Sequence, residues 1–154
     1  NEGAMGLIIN HTLENVRYEE LFEQLNISRN AMKDDLPIHY GGPVEINRGF
    51  VIFEHQGRFL NDAMLTVGDI AISGSLELLK AIAPADGPEK RLLALGYAGW
   101  SPGQLEEEME NNSWLSVPAD NAIIFDQNNM GKWQRAALQH GIDLAKFSTT
   151  VGHA

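Results

Sequence analysis

Residues 99–103, Gly-Trp-Ser-Pro-Gly, match the G-x-S-x-G pattern of the nucleophile elbow in serine hydrolases. An apolar run precedes this stretch and a helical pattern follows it, which is the context that the elbow requires. In such a site the serine attacks an acyl carbon, and the backbone N–H of the next residue helps to bind the oxyanion. The pattern therefore makes Ser101 a candidate nucleophile.

The residue that follows Ser101 argues against this chemistry. Pro102 has no backbone N–H to donate, and it also restricts the backbone of Ser101. A structural role fits every position: Ser101 as N-cap, Pro102 as the first helical residue and Gln104 as the third form a capping box. We therefore predict no catalytic residue here, and a helix near residues 102–111.

Aromatic residues surround the same predicted helix start. Tyr97, Trp100 and Trp114 can line a pocket there with Gln104, and a helix N-terminus attracts anions. The alternative is that the rings only pack around a capped helix. Tyr97, Trp100 and Gln104 are thus candidate ligand-binding residues.

Arg48 lies between a strand-like segment and the apolar run that starts at Gly49. A charged side chain in such a setting needs a partner, and the structural interpretation is an ion pair with Glu45 or Glu107. The alternative is a clamp for an anionic ligand, for which the planar guanidinium is well suited. Arg48 is the second candidate ligand-binding position.

Gly41 and Gly42 precede Pro43 and form the third candidate. Glycines in a loop let a ligand approach backbone N–H groups closely. The interpretation that we favour is a tight turn between two strands.

Metal and cofactor sites have no support in the sequence. Cysteine is absent, and the five histidines, at 11, 39, 55, 140 and 153, show no metal-ligand spacing. Neither a G-x-G-x-x-G motif nor a P-loop lysine is present. We predict no metal and no cofactor.

The charge balance restricts the partners. The chain has 21 acidic and 11 basic residues, for a net charge of −10. Because DNA-binding surfaces are basic, we expect no direct nucleic-acid binding. No apolar run is long enough to span a membrane, and the absence of cysteine fits a reducing compartment, so we expect a cytoplasmic protein.

The elements that must position these residues follow from hydrophobic patterning, which is typical of a single α/β or α+β domain. The predicted strands are residues 5–10, 38–40, 49–55, 63–67, 69–73, 91–97, 114–119 and 121–126. The predicted helices are residues 17–27, 76–83, 102–111 and 130–140. Ser73 or Ser75 is expected to cap the second helix, and Gly141 to end the last, with Ile142 as the following contact.

Residues 41–55 and 96–115 resemble motifs of the bacterial YqgE/AlgH family, and residues 3–10 and 150–154 are also similar to it. The resemblance covers residues 1–154 as one domain and implies that an upstream segment is missing. It implies a mixed α/β fold in which a bifurcated sheet includes a small closed barrel surrounded by helices. The family has no established biochemical activity, although one branch carries the label of transcriptional regulator.

Two function classes remain. The first is a non-enzymatic regulatory or interaction domain that acts through a protein partner or a small anionic ligand. The second is an enzyme for a small anionic substrate near Arg48, Tyr97 and Trp100. We favour the first, because the sequence offers no pairing of a base with a nucleophile.

Overall fold

The computed structural model describes residues 2–14, 23, 36–82 and 87–142. The helix predicted over residues 17–27 lies outside the described residues except at Glu23. In chain order the strands are β1 (Ala4–Gly6), β2 (Ile38–Tyr40), β3 (Val44–Glu54), β4 (Leu65–Val67), β5 (Ile70–Ser73) and β6 (Arg91–Trp100). The α-helices are α1 (Leu76–Ile82), α2 (Gln104–Glu110), α3 (Asn121–Ile124) and α4 (Lys132–Gln139). Two 3₁₀-helices cover Leu60–Asp62 and Asn129–Gly131.

Strand β6 is the centre of the sheet, whose order is β1-β6-β3-β5-β4 with β2 also on β6. One edge of β6 pairs with β3. The other edge is shared: β1 pairs antiparallel with residues 98–100, and β2 pairs parallel with residues 93–95. The sheet is therefore mixed and bifurcated, as the family resemblance implied. The strands curl into a half-barrel, and within the described residues β4 pairs with β5 alone.

Two close backbone contacts lie where the sheet divides, between the parts of β6 that pair with β2 and with β1. Gly41 N–H donates to the Leu95 carbonyl at 2.8 Å, and a Cβ on Gly41 would overlap the carbonyl oxygen of Gly96. Gly96, at φ +71°, in turn faces the carbonyl of Gly42. Gly41 and Gly42 are both buried. This packing supports the interpretation of a turn between strands, and a ligand-binding role for the two glycines stays a prediction.

The hydrophobic core lies where β3 and β6 meet α1. Val51, Phe53 and Leu93 are buried there against Leu78 of the helix. The run from Phe50 to Phe53 is buried on both faces, which explains why it is continuously apolar rather than alternating. Ser75 Oγ accepts the Leu78 N–H at 3.4 Å, so Ser75 caps α1 as predicted.

Two predicted strands are absent. Residues 121–126 contain helix α3 instead, because the Asp120 carboxylate accepts the Ala122 N–H at 2.7 Å and caps a helical turn. Residues 114–119 form neither helix nor strand, and the strand predicted over residues 5–10 ends at Gly6.

The other elements agree with their predictions more closely. Gly68 and Asp69 join β4 to β5 as an antiparallel hairpin. Helix α4 ends as expected: Gly141 has φ +74°, its N–H donates to the Leu138 carbonyl, and Ile142 N–H donates to the Ala137 carbonyl. These two bonds define a Schellman motif. None of the helices in the described ranges has the length and apolar character to cross a membrane.

Candidate functional site

The segment with the G-x-S-x-G pattern forms a turn ahead of α2. Gln104 N–H donates to the Ser101 carbonyl at 3.0 Å, and Gly103 between them has φ +82°. Proline followed by a left-handed glycine is typical of a type II turn. The predicted N-cap Ser101 and first helical residue Pro102 are therefore wrong, since α2 is preceded by Gly103 and begins at Gln104.

One half of the predicted capping box does form. The Gln104 side chain reaches back, and its Oε1 accepts the Ser101 N–H at 3.0 Å. Its Nε2 donates to Glu108 Oε1 at 2.9 Å. Both ends of the Gln104 amide are thus engaged within the chain.

The tryptophans at this turn pack around a carboxylate. The Trp100 and Trp114 rings meet edge to face at 5.7 Å. Both indole N–H groups donate to Glu108 Oε2, at 3.1 Å from Trp100 and 2.7 Å from Trp114. The hydrogen bonds from Trp114, Gln104 and Trp100 lower the pKa of Glu108. The position that we expected to attract an anion already contains one.

Arg48 and Tyr97 belong to a different group. Arg48 lies over the Phe50 ring at 5.2 Å, and Tyr97 meets the same ring edge to face. The predicted ion pair with Glu45 is confirmed at 2.9 Å. Both partners are about half exposed, so the pair contributes at most about 1 kcal/mol. Ligand binding by Arg48, Tyr97, Trp100 and Gln104 stays a prediction.

A pocket that sequence reasoning missed lies between α4, α3 and the segment after β1. Its volume is about 270 Å³, enough for a small molecule. The wall is mainly apolar and includes Ile9, Ile123 and Ala136. Its titratable lining residues are Asp120, Lys132 and His140. We call this pocket the Lys132 cavity.

Lys132 is the unusual residue of this cavity, because only 3% of its surface is exposed. Nζ donates to the Ile9 carbonyl at 2.9 Å, the one hydrogen-bond acceptor that the described part of the chain provides. Burial lowers the pKa of Lys132 to about 8, although the charge of Asp126 acts in the opposite direction. Asp126 forms its ion pair with Arg135, at 2.8 Å. Within the described ranges Lys132 forms no ion pair of its own, and its hydrogen bond to Ile9 is its polar contact.

Asp120 is held in place at the same cavity. Its carboxylate accepts Gln139 Nε2 at 2.7 Å and the Ala122 N–H at 2.7 Å. These two hydrogen bonds, in that order of importance, lower the pKa of Asp120. The group therefore stays ionised at neutral pH.

A buried histidine lies close to the start of α4. His39 is fully buried, with Nδ1 3.1 Å from the Leu93 carbonyl oxygen and Nε2 3.3 Å from Asn129 Oδ1. Burial is the main reason that the pKa of His39 is lowered. Because a carbonyl only accepts, the neutral ring carries its proton on Nδ1.

The helix pattern contained a signal for the cavity. Lys132, Ala136 and His140 are spaced at i, i+4 and i+8, so they share one stripe of α4. All three line the cavity. A lysine on the inward stripe of an otherwise ordinary helix is the feature that sequence reasoning could have used.

The geometry defines what the cavity can hold. An apolar wall with one buried ammonium group suits a ligand with an apolar body and an anionic head. No group of three or more histidine, aspartate or glutamate side chains within the described residues is arranged to hold a metal ion.

Comparison with known proteins gives a consistent family assignment. A family profile described as AlgH-like matches residues 1–145. A UPF0301 protein of Cereibacter sphaeroides is 40% identical over 153 residues, which cover 99% of this chain and 83% of the relative. One from Rhodospirillum rubrum is 42% identical over 154 residues, covering 99% of this chain and 79% of the relative.

Solved structures agree with this assignment. The solution structure of the AlgH protein from Pseudomonas aeruginosa has a TM-score of 0.74 and 39% sequence identity, covering 99% of this chain and 80% of that one. A crystal structure of a protein from Corynebacterium diphtheriae has a TM-score of 0.65 with 18% identity, covering 87% of this chain and 71% of that one. At that identity the likeness concerns the fold alone.

Proposed function

The chain belongs to the AlgH-like family, and from the Lys132 cavity we propose that it is a non-enzymatic regulatory domain that binds a small anionic ligand there. The observation that carries the proposal is the Lys132 ammonium group, buried in an apolar wall with a single carbonyl acceptor. An ammonium group costs several kcal/mol to bury unless it is paired. An anionic ligand would supply that pairing.

The ligand that fits is small and amphipathic. A carboxylate or similar anion would meet Lys132, while a short aliphatic body would contact side chains such as Ile9 and Ile123. Asp120 is fixed by its own hydrogen bonds and carries a negative charge, so it disfavours ligands with several anionic groups. We propose that a protein partner then responds to the bound state.

Other parts of the proposal rest on composition. The net charge of −10 disfavours direct DNA binding, so regulation would act through the ligand or a protein partner. The absence of cysteine fits a cytoplasmic location.

The enzyme alternative near Arg48, Tyr97 and Trp100 loses support, because Trp100 belongs to the Glu108 cluster while Arg48 and Tyr97 pack on Phe50.

Thermal unfolding with a series of straight and branched carboxylates of four to ten carbons tests the proposal. Ligand at about ten times its dissociation constant should raise the melting temperature of the wild type by roughly 3–6 °C. Lys132→Met should lose this response, and the matched control Lys90→Met, which changes an exposed lysine, should keep it.

A third variant separates this site from the one predicted at Arg48. Arg48→Met should respond to the carboxylates as the wild type does. Loss of the response in Arg48→Met but not in Lys132→Met would place the anion site at Arg48 and contradict the proposal.

A further inference from the structure

We propose that the Lys132 amine condenses reversibly with the carbonyl group of a short-chain aldehyde or 2-oxo acid held in the Lys132 cavity. This inference rests on the proposed function for the location of the ligand, and it adds the chemical class of the ligand. Four features of the described residues support it.

The first feature is the setting of the nitrogen. Lys132 and its acceptor Ile9 both line the cavity, and the nitrogen is shielded from bulk water by the fold. Lysines that attack a carbonyl carbon commonly lie in apolar surroundings, because burial disfavours the unreactive ammonium form.

The second feature is the missing counter-charge. Asp126, the carboxylate whose charge acts most on Lys132, is paired with Arg135. With the pKa lowered to about 8, roughly a fifth of the amine is neutral at pH 7.4, against roughly a thousandth for an ordinary lysine. The cavity therefore holds a usable amount of nucleophile at neutral pH.

The third feature is a group available for proton transfer. His140 lines the same cavity as Lys132. Imine formation needs a proton to reach the carbonyl oxygen before water can leave. The imidazole of His140 suits that step, whereas the Asp120 carboxylate is ionised and has no proton to give.

The fourth feature is the size and polarity of the cavity. A volume of about 270 Å³ with a mainly apolar wall admits a chain of a few carbons attached to one polar group. Larger sugars, with many hydroxyl groups, would bury polar atoms without partners there.

The reaction balances without any further reactant. The Nζ lone pair attacks the carbonyl carbon, and the C–N bond forms as the carbonyl oxygen takes a proton. The C–O bond of the carbinolamine then breaks and water leaves. In the net reaction the amine nitrogen loses two protons, and the departing oxygen carries two. The product is an imine, and hydrolysis by one water molecule restores both partners.

Borohydride trapping tests the inference. Wild-type protein is incubated at pH 7.4 with 3-methylbutanal or 4-methyl-2-oxopentanoate and sodium cyanoborohydride, and the modified lysines are identified by peptide mass spectrometry. At low carbonyl concentration Lys132 should be labelled at least about tenfold more than the exposed Lys90, because the cavity holds the carbonyl compound beside an amine whose pKa is lowered. Equal labelling of the two lysines would overturn the inference. Both lysines are compared in the wild-type protein, so the result does not depend on whether a variant folds.

The pH dependence gives a second readout. Labelling of Lys132 should rise through about pH 8, where half of its amine is neutral, and should level off about one pH unit higher. Lys132→Arg keeps the charge but forms no imine, and it should remove the dominant adduct. A labelling profile of Lys132 that is still rising at pH 10 would contradict the inference.

An isosteric acid separates the two proposals. 4-Methylpentanoate has no second carbonyl and cannot condense, so its binding reports the anion site alone. Stabilisation by this acid without aldehyde trapping would leave the proposed function standing and reject the imine. Trapping by the aldehyde without stabilisation by the acid would support the imine and reject the anion site.

Discussion

The ammonium nitrogen of Lys132 lies 2.9 Å from the carbonyl oxygen of Ile9, and this bond joins α4 to the segment that follows β1. The two residues are 123 positions apart in the chain. Both line the same cavity, so the contact fixes the depth at which the charged group lies. Because burial of the unpaired ammonium group is unfavourable, an anionic ligand that pairs with it would be stabilised.

Lys132→Met should show this cost as a pH-dependent change in stability. The folded pKa of about 8 lies below the ordinary 10.5, so the unfolded wild type binds more protons between these values. Wild-type stability should therefore gain roughly 2–3 kcal/mol relative to the variant between pH 7 and pH 10. Urea unfolding of both proteins at the two pH values measures it, and a constant difference would show that burial does not penalise the charge.

His39 should contribute to instability in mild acid. Its folded pKa lies below the ordinary value of 6.5, so the unfolded chain takes up the proton first as the pH falls. Stability is present above pH 6.5 and is lost progressively below it. His39→Gln should flatten the part of the acid profile that begins below pH 6.5. An unchanged slope in that range would contradict the assignment.

Glu108 should control the optical signal of the tryptophan pair. Glu108→Gln replaces one carboxylate oxygen by an N–H donor, so it cannot accept from Gln104 and both indoles at once. The near-ultraviolet circular dichroism of Trp100 and Trp114 should weaken, while the control Glu106→Gln, on the same helix, leaves it unchanged. In the wild type the signal should persist to below pH 4.5, because the pKa of Glu108 is lowered. Loss of the signal above that pH would be inconsistent with the cluster.

The turn before α2 should depend on Gly103 more than on Ser101. Ser101 contributes its backbone groups, so Ser101→Ala should change stability by less than about 0.5 kcal/mol. Gly103→Ala should cost about 1–2 kcal/mol, because φ is +82° although the space is open. Chemical denaturation of both variants decides, and a larger loss in Ser101→Ala would restore the N-cap that the sequence predicted.

Local patterns in the sequence predicted much of the sheet. The apolar runs from Phe50 and from Leu92 became central strands, and Gly68 with Asp69 became the hairpin turn. These features are set by residues close together in the chain. Residues 121–124 show the limit: the Asp120 carboxylate caps a helical turn there, although Ile123 and Ile124 are β-branched and favour a strand.

The candidate site was harder to predict, since it depends on elements far apart in the chain. The helical stripe of Lys132, Ala136 and His140 was readable, but the wall that faces it includes Ile9, residues 117–120 and residues 123–124. Likewise, Trp100 looked like part of an anion pocket until the fold placed Glu108 between the two indoles. Composition and spacing do not determine which carboxylate reaches which donor.

The most direct measurement is the pKa of Lys132 itself, followed by NMR of its side-chain carbon and nitrogen in the free protein and with saturating 4-methylpentanoate. We expect a value of about 8 in the free protein and a clear rise when the carboxylate binds, because an adjacent anion favours the ammonium form. The side-chain signals of the exposed Lys90, recorded in the same samples as a control, should not change when the acid is added. A free-protein pKa near 10.5, or a value near 8 that the carboxylate leaves unchanged, would contradict a ligand site at Lys132.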